Sequence, residues 1–169
     1  GTAGLVSLYN AAGSANLIAD VAGWFPTGSS YTPVVPARLL DTRPDGSTFD
    51  GTNARDGALV AGGSRDLQVT GRDAIPTSGV EAVILNVTAV APSANTFVTV
   101  YPAGATKPNA SNLNVAAGQI NANLVGAKAG AGRKVALFNA AGETSVLVIV
   151  EGGTPHAHQF TACVPAPLC

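Results

Sequence analysis

Apolar and polar positions along this chain alternate with a period of two residues, in short runs broken by turn formers. The clearest run is Val80–Val90 (VEAVILNVTAV), rich in β-branched residues. Val83, Leu85, Val87 and Ala89 fall on one face of it and are expected in the core, while Ile84, Asn86, Thr88 and Val90 make a mixed second face. Thr96–Tyr101 reads as its antiparallel partner across the turn Pro92–Asn95. Further strands are predicted at Val34–Arg43, Leu67–Thr70, Ser111–Val115 and Asn123–Ala127, followed by a closing hairpin of Lys134–Asn139 and Thr144–Val150. Pro36 restricts the first of these to a sheet edge or a strand start. No segment sustains a 3.6-residue apolar period between caps. The pattern predicts an all-β fold, a β-sandwich of jelly-roll type, with a small β-barrel or a trefoil as alternatives that periodicity does not separate.

The two ends of this pattern repeat one another. Gly1–Trp24 aligns without a gap on Gly130–Gly153, every pair 129 positions apart, and Asn10-Ala11-Ala12-Gly13 recurs unchanged as Asn139-Ala140-Ala141-Gly142. So long a period belongs to a domain-sized unit, not a solenoid. The expected organisation is a closing hairpin of a preceding repeat at 1–25, a linker at 26–35, one complete β module at 36–153 and a tail at 154–169. The leading hairpin carries strands at 5–9 and 16–21. Two strands alone are marginal in water, so Val6, Leu8, Leu17 and Val21 are expected to find a sheet, on another chain or on a free edge of the same module.

Composition narrows the class of function. Of 169 residues only 11% are charged, with a formal net charge of −1, 20 Gly and 11 Pro. Nothing resembles a basic nucleic-acid face or a polybasic membrane patch, and no apolar run approaches the roughly 20 residues of a membrane span. Gly1 reads as the start of a fragment or of a mature form.

Candidate chemistry is sparse. No Ser or Cys has a neighbouring base to activate it, so a non-catalytic role is expected. Asp45, Asp50 and Asn53 put oxygen side chains on flexible turns, as a Ca²⁺ site requires, but Asp-Gly pairs are also ordinary turn formers; no cofactor is expected, with Ca²⁺ the one candidate. Arg38, Asp41 and Arg43 suit either a buried ion pair fixing the first strand or a sugar-binding edge. Trp24 and Phe25 suit either a sugar-stacking platform or an aromatic plug between consecutive modules. Cys163 and Cys169 lie close together in the tail. With His156 and His158 a Cys₂His₂ zinc site is formally available, but the spacing is not that of zinc ligands, and a disulfide in an oxidising, extracellular setting is expected.

Pro36–Arg43 (PARLLDTR), Leu85–Thr88 (LNVT), Val98–Pro102 (VTVYP), Ser111–Asn114 (SNLN) and Ala19–Phe25 (ADVAGWF) together resemble a β-rich tandem repeat of secreted and surface-attached actinobacterial proteins. The resemblance covers about residues 1–153, a repeat of about 130 residues. It implies an extracellular location and carries no catalytic residues. In the last copy Ile149 stands opposite Asp20 and Gly153 opposite Trp24, a departure suited to a terminal capping repeat.

Two functions follow as expectations. One is a structural assembly module joined by strand pairing to copies of itself or to neighbouring repeats. The other is a carbohydrate- or cell-wall-binding module that takes polysaccharide. No nucleic acid and no membrane insertion are expected. For the tail, closing so short a loop gains only about 2 kcal/mol. Alkylation without reduction, followed by intact mass, should find no free thiol at Cys163 or Cys169; two alkylated cysteines would exclude the disulfide.

Overall fold

The computed structural model describes residues 7–14 and 31–155. Eight strands make two four-stranded antiparallel sheets: β1 (Thr32–Asp41), β2 (Ser64–Gln68), β3 (Val80–Val90), β4 (Thr96–Pro102), β5 (Leu113–Val115), β6 (Ile120–Lys128), β7 (Lys134–Asn139) and β8 (Ser145–Pro155). One sheet runs β1-β8-β3-β6, the other β2-β7-β4-β5. Every connection except β4–β5 therefore crosses from one sheet to the other, the winding of a jelly roll. The sheets face each other as a sandwich and do not close, which disposes of the barrel and trefoil alternatives.

Alternation on β3 is what places the core. Val83, Leu85, Val87 and Ala89 have no exposed surface, as their shared face predicts, and they meet Val146, Val148 and Val150 of β8 and Val135 and Leu137 of β7 in one cluster. Pro36 lies in an edge strand as expected, at a register shift between Pro33 and Ala37.

Two expected hairpins are not hairpins. β4 does not pair with β3; it pairs with β5 and β7, while β3 lies between β6 and β8. Likewise β7 and β8 belong to opposite sheets. A short polar turn between two alternating runs is compatible with folding back inside a sheet, at about 4.8 Å, and with crossing between sheets about 10 Å apart. Local pattern does not distinguish the two. The module also extends past its expected ends: β1 begins at Thr32, inside the expected linker, and β8 runs to Pro155.

The corner between β7 and β8 is held by Asn139, which has no exposed surface. Its Oδ1 accepts from Thr96 Oγ1 at 2.7 Å and from Thr144 Oγ1 at 3.2 Å. Its Nδ2 donates to Leu59 O at 3.0 Å and to Gly142 O at 2.9 Å, so all four bonding positions of the amide are used. Gly142 has φ +59°, the left-handed region that favours glycine. In the leading copy Asn10 Nδ2 donates to Gly13 O at 2.8 Å, with Gly13 at φ +66°. The repeated four residues thus make the same turn twice. In the sequence alignment residues 1–24 match 130–153, and β7 and β8 of that segment lie in opposite sheets. Over the described residues 7–14 they carry a bend and no strand.

Leu85→Ala should cost 2–5 kcal/mol by the usual range for buried Leu, read from urea denaturation. Asn139→Ala should cost at least as much as one orphaned buried group, roughly 1–3 kcal/mol. Asn10→Ala, at an exposed position, should leave the urea midpoint nearly unchanged.

Candidate assembly surface

The Pro44–Gly63 loop, expected as a candidate ligand site, is tied to the first strand by charge. Asp41 is fully buried at the end of β1. It accepts from Arg43 Nε and Nη2 at 2.9 and 2.8 Å and from Arg38 Nη1 at 2.9 Å. Gly46 lies so close that a Cβ there would come within 2.7 Å of the Asp41 carboxylate, so no larger residue fits this turn. Of the two readings of Arg38, Asp41 and Arg43, the geometry is that of the ion cluster fixing β1.

A second clamp was not foreseen. Arg72, 7% exposed, donates to both oxygens of Asp50 at 2.6 and 3.0 Å, to Asn53 Oδ1 at 3.3 Å, and to the carbonyls of Leu39 and Thr52. Its guanidinium also lies over the Phe49 ring. Nothing in Gly71–Gly79 marks Arg72 in sequence, because its partners are distant in the chain. Asp50 and Asn53 are thus occupied by protein groups, and Asp45 is exposed and apart from them. Among the described residues no group of three or more His, Cys, Asp or Glu is placed to hold a metal ion.

Hydrogen bonds from Arg43 outweigh the burial of Asp41 and hold its carboxyl below the usual carboxylate range; Arg72 does the same for Asp50.

The sheet edges differ sharply in how they are protected. β1 carries Pro33 and Pro36 and two register shifts. β2 is five residues long with Arg65 and Asp66, and β5 has only three residues. These are the usual devices against edge pairing. β6 has none of them: nine residues, no Pro, an unbroken register with β3, and a single charge, Lys128, at its end. Among the described residues its outer edge has no strand partner.

The outer face of β6 is also apolar. Ile120 and Leu124 are 64% and 57% exposed. Leu124 stands beside Asn86, and Asn86 beside Ile149, in one row across the sheet. Asn86 Oδ1 is buried there without a hydrogen-bond partner. On the inner side Asn121 and Asn123 donate across the sandwich to Asn114 O and Asn112 O, clipping β6 to β5. The edge is therefore stiffly held and bare.

Of the residues expected to drive assembly, Leu8 is 65% exposed, as is its neighbour Tyr9 at 89%. Val6, Leu17, Val21, Trp24 and Phe25 lie outside the described residues, as do Cys163 and Cys169. Among the described residues no helix is long and apolar enough to cross a membrane. No protein-family model and no curated protein matches the chain.

Because both carboxyls are depressed in the folded state, their contribution is complete above about pH 4, the unfolded value. It is lost as the pH falls through their lower folded values. Asp41→Asn should be less stable than wild type at pH 7 and should lose less stability between about pH 5 and pH 2. Urea midpoints across that window check it; parallel curves for the two proteins would exclude the linkage.

Proposed function

We propose that this chain is a non-catalytic, extracellular structural module that joins its neighbours by β-strand pairing, with the bare edge of β6 as acceptor. The observation that carries the reading is the contrast between β6 and the three protected edges of the same sandwich. Strand addition supplies main-chain hydrogen bonds, and the apolar row at Leu124 supplies area. The donor is the 1–25 segment of a neighbouring copy, whose sequence matches that of the β7–β8 pair.

Magnitudes make such a joint weak singly and useful in series. Burying Ile120, Leu124 and Leu8 contributes about 1.5–3 kcal/mol each, and each net hydrogen bond about 0.5–1.5. Association costs about 4–15 kcal/mol in lost freedom. One joint then binds modestly, and repeats in tandem raise the overall avidity. Secretion and the actinobacterial tandem repeat that the motifs resemble fit this use.

Light scattering over a concentration series tests it. The chain should associate at high concentration, and Leu124→Lys, which puts a charge on an exposed position, should abolish association with the melting temperature kept. Removal of residues 1–25 should do the same. A monomer at every concentration, or association untouched by Leu124→Lys, would sink the reading. The alternative, a carbohydrate- or cell-wall-binding module, predicts instead that soluble cell-wall glycan raises the melting temperature of the monomer.

A further inference from the structure

An apolar groove of about 350 Å³ opens at the end of the sandwich where β1 begins and β8 ends. Val34, Ile75, Pro76, Val80 and Gly153 line it, with Thr32 at its rim. Ile75 is buried and belongs to the core cluster, so the groove reaches from solvent to the interior.

The sequence alignment of the two ends bears on what this groove accepts. At the constant offset of 129, Gly153 stands opposite Trp24. A Cβ on Gly153 would meet the Ala82 carbonyl oxygen at 3.3 Å, Val80 Cγ1 at 3.4 Å and Ile75 Cδ1 at 3.8 Å, the last two in the lining. Gly153 has no positive φ, so its backbone conformation does not itself demand glycine, although a side chain there needs a small shift away from the Ala82 carbonyl. A module bearing Trp at this place would fill the groove from its own β8. This module carries glycine there, and among the described residues the groove beside Ile75 and Val80 is open. Apolar vacancies of this kind bind planar aromatic groups.

We propose that the groove is a receptor for an aromatic side chain and that its occupant is Trp24 of the same chain. Thr32, at the rim, is eight residues downstream of Trp24, a stretch that spans up to about 27 Å when extended. Trp24 therefore reaches the groove without strain. A tether that short gives an effective concentration in the millimolar range, which a second copy in dilute solution does not match. Docking would anchor residues 1–25 beside β1 of their own module while leaving their strands free to reach a neighbour. It does not depend on strand-mediated assembly and would hold in a monomer.

The chain has one tryptophan, so its fluorescence reports the site directly. In the full chain, the Trp24 emission should be blue-shifted, and acrylamide should quench it several-fold less than in the guanidinium-unfolded chain. Both should be unchanged on dilution. Gly153→Leu fills the vacancy with a non-fluorescent side chain and should return the emission to that of exposed indole, with the far-ultraviolet β spectrum retained. Solvent-like emission in the unsubstituted chain overturns the proposal. Protection lost on dilution overturns it in favour of a second copy, and protection that survives Gly153→Leu places Trp24 elsewhere. Should Gly153→Leu fail to fold, nuclear Overhauser contacts between the Trp24 indole and the Ile75 and Val80 methyls in the unsubstituted chain decide, their presence supporting the groove and their absence excluding it.

Discussion

Crossing between the two sheets is the constraint on which this molecule is built. All connections but β4–β5 leave one sheet for the other, so the chain turns corners where ladder hydrogen bonds end and backbone groups would be stranded in the interior. Buried polar groups are tolerated only when bonded. Asn139 supplies the bonds at the β7–β8 corner, joining Leu59, Thr96, Gly142 and Thr144 through one amide. Thr42 serves the β1 end, its Oγ1 accepting from Val146 N at 2.8 Å. Once the corners are fixed, the valine-rich inner faces meet in one register.

Charge is sparse, and two of the charged side chains are buried to structural effect. Asp41 and Arg72 are both buried, and each gathers a set of partners that would be costly to leave unmatched. Between them they bind the 44–63 loop to β1, turning a long irregular segment into a fixed cover. The outer surface of β6 has the opposite character, with few charges and exposed aliphatic side chains. Among the described residues three sheet edges carry devices against pairing and the edge of β6 carries none.

The groove at Gly153 and the edge of β6 have different physical origins. The groove is lined by Gly153 and the ends of β1 and β8, whereas the edge follows from strand order. One lies at the end of the sandwich and the other along its side, so an anchor in cis and a joint in trans do not compete for the same surface.

The sequence by itself determined the all-β class, most strand positions and the inner face of β3, because alternation is a local property that burial on one side of a sheet imposes. It also determined the duplicated Asn-Ala-Ala-Gly turn, whose bond from Asn to Gly spans three residues and forms in both copies. Tertiary structure decided which strands are neighbours. The β3–β4 and β7–β8 turns look like hairpin turns in sequence, yet both cross between sheets, since the choice rests on where the remaining strands lie. The role of Asp50 was likewise undecided until Arg72, 22 residues away, was brought against it. The bareness of β6 was invisible for the same reason: being an edge is a statement about the strand that is not there, and only the assembled sheet makes it.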